Sequence, residues 1–206
     1  VLDRGSDVRD SSVMFLLSLV RRWCWSWVGP GALAAVAVVV SGVGCDGPAP
    51  KPDGEPTTDD PRAAVLRINE LVASNSVGCV DAAGEFDDWI ELVNLGDSDI
   101  DLDGVTITDD RTVRDKARLD GLSIAAGGHL LLFADGTATQ GPDHLPFKLS
   151  AAGEELLVCI DGAIVDSVSW TAAVPDQALA RFPDGTGAFA PCRATSCGEA
   201  NGAACP

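Results

Sequence analysis

The chain has 206 residues, 46% of them hydrophobic and 22% charged, with a formal net charge of −17. That composition supports one ordinary folded domain with appended segments. An acidic excess of this size repels phosphate backbones and excludes nucleic acid as a partner.

The first 45 residues stand apart, because they hold four arginines and three aspartates and the acidic excess lies beyond them. Arg21 and Arg22 precede the apolar run ALAAVAVVVSGV (32–43), which leads into Gly44 and Cys45. A basic stretch, a short apolar stretch and small residues before a cleavage point predict a secretory signal over 1–45. The run is shorter than the ~20 apolar residues of a membrane span. Gly42, Val43 and Gly44 before Cys45 resemble a bacterial lipobox, with Gly42 where such boxes usually carry Leu. Cys45 is therefore the expected lipidation site. Met14 reads as the initiator, with residues 1–13 an over-extended start.

Residues 46–63, DGPAPKPDGEPTTDDPRA, contain five prolines and little apolar bulk. A Pro-rich tether of this length reaches up to ~50 Å at ~3.1 Å per residue. The folded domain is expected over 64–206. Its pattern is one of short apolar runs broken by Gly, Asp and Pro, which predicts strands at 65–72, 88–94, 104–108, 129–134, 147–150, 154–160, 163–170 and 178–182. No stretch of ten or more residues carries a helical period. Short strands with this spacing predict an all-β, antiparallel β-sandwich.

Three groups of residues invite a chemical reading. The segment DIDLDGVTITDD (99–110) fits the EF-hand spacing with Asp99, Asp101, Asp103, Gly104 and Asp110. An EF-hand needs flanking helices, and here Ile100 and Leu102 alternate with the acids as in a strand with one wet face. The segment GEFDDWIELVN (84–94) crowds Glu85, Asp87, Asp88 and Glu91 around Trp89. Alternation sends Asp88 and Glu91 to opposite faces and sets Asp87 ~13 Å along the strand from Glu91. A glycosidase dyad needs its carboxyls about 5–9.5 Å apart, so the strand alone supplies none. A second acid would have to come from elsewhere, such as Glu70 or Asp166. The preceding loop holds Asp81, Glu85 and Asp87, which a hard cation would suit. Solvated turn acids explain them more simply, so no metal and no cofactor is expected, with calcium the ion these three would take. His129 and His144 are the only histidines, and no nucleophile motif accompanies them. No catalytic residue is expected.

Beyond the signal the cysteines are Cys79, Cys159, Cys192, Cys197 and Cys205, an odd number without a C-x-x-C pair. In an exported chain they predict disulfides rather than zinc.

The succession RINELVASN (67–75), GEFDDWIELVN (84–94), DLDGVTITDD (101–110), AAGGHLLLFAD (125–135), HLPFKLSAAGEEL (144–156), VDSVSW (165–170) and ARFPDGTGAF (180–189) resembles the lamin-tail domain, in its bacterial exported form. The resemblance covers roughly 65–202 and implies an immunoglobulin-like sandwich. It places Glu70, Trp89, Glu91, Gly104, Asp109, Gly128, Leu149, Arg181, Asp184 and Gly185 at positions that define the fold. It implies a bridge between Cys192 and Cys205, leaves Cys79 to pair with Cys197 or Cys159, and has Arg181 paired to one of the acids.

These readings predict a membrane-tethered lipoprotein of the bacterial cell envelope that presents a non-catalytic interaction or scaffolding module. The expected partners are the membrane, through the lipid, and an envelope protein or glycan. Two rival readings are a carbohydrate-active or metal-dependent hydrolase using Asp81, Glu85, Asp87 and Glu91, and a calcium-stabilised surface adhesin.

Overall fold

The computed structural model describes residues 57–202 and Cys205; the signal, Cys24, Cys45 and most of the tether lie outside the described residues. The folded unit opens on one helical turn, α1 (Arg62–Val65), followed by β1 (Leu66–Val72), β2 (Trp89–Asn94), β3 (Ile100–Asp101), β4 (Val105–Thr108), β5 (Ala117–Arg118) and β6 (Ser123–Ile124). It continues through β7 (His129–Phe133), β8 (Glu154–Ile160), β9 (Ala163–Trp170), β10 (Ala178–Arg181) and β11 (Phe189–Cys192).

These strands build a five-stranded sheet in the order β11-β10-β1-β2-β7, a four-stranded sheet in the order β5-β4-β8-β9, and a small β3-β6 ribbon, all antiparallel. Strand alternation explains the layering. Leu66, Ile68, Leu71, Ile90, Leu92 and Leu132 of the larger sheet meet Val105, Ile107, Leu156, Val158, Ile160 and Val168 of the smaller one. Each such side chain contributes ~1.5–3 kcal/mol on leaving water, and together they make an immunoglobulin-like sandwich core.

The larger sheet also buries its other face. Val72, Trp89, Phe133, Ala178 and Ala180 pack there with Cys79, Cys192 and Cys205. A single sandwich layer would leave that face wet; here the β1–β2 loop and the C-terminal segment cover it. Two disulfides hold the cover: Cys79–Cys197, spanning 118 residues, and Cys192–Cys205, spanning 13. Cys159 is a thiol buried in β8.

Two expectations are corrected. Residues 147–150 form no strand, although Phe147 and Leu149 are buried. Pro146 lacks an N–H, and of these four residues only Lys148 makes a bridge, to Asp135 just beyond β7, while the residues before them bridge at Phe133–His144. The tether, drawn to residue 63, ends earlier. Arg62 bonds the Asp60 carboxylate at 2.7 Å and the carbonyls of Asp101 and Asp103 at 2.9 Å, fixing the entry to β1.

Candidate functional site

The site begins with an extra residue in β1. Ile68 stands opposite Leu92 and Glu70 opposite Glu91, so Asn69 is inserted as a β-bulge. Regular alternation would turn Glu70 into the sandwich core beside Ile68. The bulge turns Asn69 and Glu70 together to the outer face and returns Leu71 to the core. β2 is regular and sends Trp89, Glu91 and Val93 to that outer face. Glu70 and Glu91 thus become a directly opposed cross-strand pair, a geometry that brings Cβ atoms to ~5 Å.

Both carboxyls are fully buried, and the C-terminal segment supplies much of their bonding. Ser196 N donates to Glu70 Oε2 at 3.0 Å, and the Ser196 hydroxyl contacts Glu70 Oε2 closely and Glu91 Oε2 at 3.3 Å. Gly198 N donates to Glu91 Oε2 at 2.7 Å. Asn69 Nδ2 donates to Glu91 Oε1 at 2.9 Å, and Asn69 Oδ1 accepts from Gly185 N at 2.8 Å. Asp184 accepts from Asn201 N at 2.9 Å, and Asn201 Nδ2 donates to the Arg181 carbonyl at 2.8 Å. His129 Nε2 stands 3.6 Å from Asp184 and 4.0 Å from Glu91.

Desolvation dominates the titration of the pair. Burial pushes both Glu70 and Glu91 up from 4.5 to about 7, against the lowering effect of the donors from Ser196, Asn69 and Gly198. Glu70 Oε1 is buried without a hydrogen-bond partner, the atom on which a proton sits with least loss. Two carboxyls that titrate near neutrality are chemically apt for acid–base work. Ser196 and Gly198 donate to the two Oε2 atoms, so the pair is also a buried clasp for the tail.

Arg181 ties the two sheets together. Its Nη2 donates to Asp166 Oδ1 at 2.8 Å, its Nε to the Ile68 carbonyl at 2.9 Å and its Nη1 to the Gly187 carbonyl at 2.9 Å. The Asp166 carboxylate also accepts from Ile68 N at 2.8 Å. Both peptide groups of Ile68, which β10 is too short to reach, are thereby satisfied. The guanidinium rests 4.2 Å from the centre of the Phe189 ring.

The remaining motif positions act in turns and packing. Gly104, at φ 78°, donates its N–H to Asp120, Asp109 pairs with Lys116, Gly128 accepts from Asn94 N, and Leu149 is buried. The EF-hand-like acids are dispersed: Asp99 accepts from Ala126 N, Asp103 from Gly121 N, and Asp101 faces Arg62. Their wet-face reading needs narrowing, since β3 covers only Ile100 and Asp101. Asp87 lies in the loop before β2 and shares no strand face with Glu91. Asp81, Glu85 and Asp87 do converge, with ligand atoms within 4.8 Å of one another. Sequence reasoning missed Asn69, Ser196 and Asn201. The clue available was INEL, two polar residues side by side inside an apolar strand.

A family profile described as the Lamin Tail Domain matches residues 60–172, more than half of the chain. No curated protein matches the chain, and no solved structure does. With the sandwich topology in place and the matched span running from the entry of β1 to the end of β9, the chain belongs to the lamin-tail domain family.

Proposed function

We propose that the chain is an exported lipoprotein, tethered through Cys45 to a membrane of the bacterial cell envelope, whose lamin-tail sandwich is a non-catalytic binding or scaffolding module for an envelope protein or glycan. The observation that carries the non-catalytic reading is the bonding of Ser196 and Gly198 to the Glu70–Glu91 pair, where acids from neighbouring strands meet under shared donors. Membership of the family supplies the scaffold. The two disulfides suit an oxidising compartment, and the lipobox-like run before Cys45 supplies the tether.

The test is fractionation of cells expressing the full chain. The protein is expected in the membrane fraction, with Cys45→Ser released to the soluble exported fraction. Membrane retention of Cys45→Ser overturns the lipid tether. Capture of the same envelope component by wild type and Glu91→Gln supports the binding role. Hydrolysis of a glycan by wild type, lost in Glu91→Gln, overturns the non-catalytic reading in favour of the hydrolase.

A further inference from the structure

The loop between β1 and β2 carries a second cluster, apart from the carboxyl clasp. Ligand oxygens of Asp81, Glu85 and Asp87 lie within 4.8 Å of one another. A calcium ion holds its oxygens at ~2.3–2.6 Å, so two ligands of one ion stand no more than ~5 Å apart. The three carboxylates already satisfy that limit.

The loop is built around one of the three. Asp81 Oδ1 accepts from Ala83 N at 2.9 Å and from Glu85 N at 2.7 Å, while Asp81 N donates to the Glu85 carbonyl at 3.1 Å. These bonds curl the chain so that Asp81 and Glu85 face the same space, and they use only one Asp81 oxygen. Gln140 Nε2 holds Glu85 Oε2 at 2.9 Å.

Two further observations point to a ligand. The first is His144, whose side chain is only 4% exposed. Its Nδ1 is bonded to Asp135 Oδ2 at 3.1 Å, and Phe133 stacks on its ring. Its Nε2 makes no hydrogen bond and points at Asp81 Oδ2 from 3.9 Å, on a side chain that is itself 2% exposed. A carboxylate-bonded imidazole that presents its second nitrogen to a cluster is the arrangement that orients groups around metals. The second is Asp87 Oδ2, which is buried without a hydrogen-bond partner. Asp81 and Asp135 flank His144, and Asp81 also belongs to the trio with Glu85 and Asp87, where a divalent cation relieves the repulsion among the carboxylates.

We propose that Asp81, Glu85 and Asp87 bind one calcium-class divalent cation, with His144, oriented by Asp135, as a positioning residue beside Asp81. Oxygen donors predominate, which suits calcium over zinc. His144 Nε2 is not part of the mutually close set, so a compact tetrahedral zinc site is not preformed. Glu85 is exposed, so the ion has an open side toward solvent. Three carboxylates on an exported loop fit an affinity on the order of 10⁻⁴ M.

The test is calorimetric and thermal titration of the purified full chain with calcium chloride, and in parallel with zinc chloride. The expected result is one calcium per chain, with a rise in Tm, and at least tenfold weaker binding in Asp87→Asn. Asp81→Asn risks the loop itself, so Asp87→Asn and Glu85→Gln carry the test. Without calcium, Asp87→Asn is expected to melt no lower than wild type, because Asp87 Oδ2 has no hydrogen bond to lose. A merely structural carboxylate would instead melt lower in both conditions. Absence of heat and of a Tm change with calcium overturns the proposal, as does unchanged binding in both variants. Binding of zinc with no response to calcium overturns the calcium assignment.

Discussion

The hydroxyl of Ser196 touches both Glu70 and Glu91, so a single residue of the C-terminal segment bridges two fully buried carboxyls on adjacent strands. The tail is held by acids that water does not reach, and four consequences can be measured.

Stability should fall as pH rises. Both carboxyls have folded-state values near 7, above the ordinary 4.5, so the folded state binds protons more tightly than the unfolded one. Their contribution is complete below about pH 4.5 and is lost as pH rises through about 7. Asp184 and His129 face the same pair. Thermal melts from about pH 5 to about pH 8 should show Tm declining. Glu70→Gln should flatten that decline, because its oxygen can keep the Ser196 bonds while its amide occupies the place of the unpartnered Oε1. An unchanged slope in Glu70→Gln would show that the pair does not govern it.

Breaking the long disulfide should loosen the tail. Cys79–Cys197 closes 118 residues of chain, and loss of a bridge of this kind typically costs ~2–4 kcal/mol. Cys79→Ser should lower Tm, and hydrogen exchange should speed up at the amides of Ser196 and Gly198 more than in β8. Equal protection in both proteins would mean the carboxyl bonds alone retain the tail.

Gly185 should resist substitution. It adopts φ 55°, and a Cβ there would lie 2.8 Å from Leu95 Cδ2 and 2.9 Å from Val93 Cγ1. Its N–H is also the donor that orients Asn69. Gly185→Ala should cost ~1–3 kcal/mol in denaturant unfolding; a loss near zero would show that the turn can shift without disturbing the bulge.

Arg181→Lys should destabilise although it keeps the charge. One ammonium cannot serve the Ile68 carbonyl, the Gly187 carbonyl and Asp166 in the fixed fork that guanidinium provides. Loss of one or two such bonds predicts ~1–3 kcal/mol. Urea titration at neutral pH is the check, and a change below ~0.5 kcal/mol would remove the sheet-linking role.

The strands were legible where one face is apolar along the whole run. WIELVN declares its alternation, and the structure places Ile90 and Leu92 inward and Trp89 and Glu91 outward. The meeting of Glu70 with Glu91 was not legible, because a bulge changes which residue opposes which and leaves only the polar doublet Asn69-Glu70 as a trace. Phe147 and Leu149 alternate as a strand would, yet strand formation also needs a ladder partner, which their own residues do not encode. The convergence of His144 on Asp81 depends on the 143–148 segment lying along β7, a contact between residues 63 positions apart in the sequence. Arg181 shows the opposite case: a buried guanidinium needs an acid, and Asp166 lies on the neighbouring sheet.

The recognised family span stops at residue 172, but the architecture does not. β10 and β11 come afterwards and form two of the five strands in the larger sheet. A fragment cut at that boundary would leave one long margin of β1 without its neighbour and strip the lid from Trp89 and Phe133. Such an edge is a template for foreign strands, so a shortened version would report on self-association rather than on the native surface. The unit that packs as one body therefore extends past the family span to Cys205.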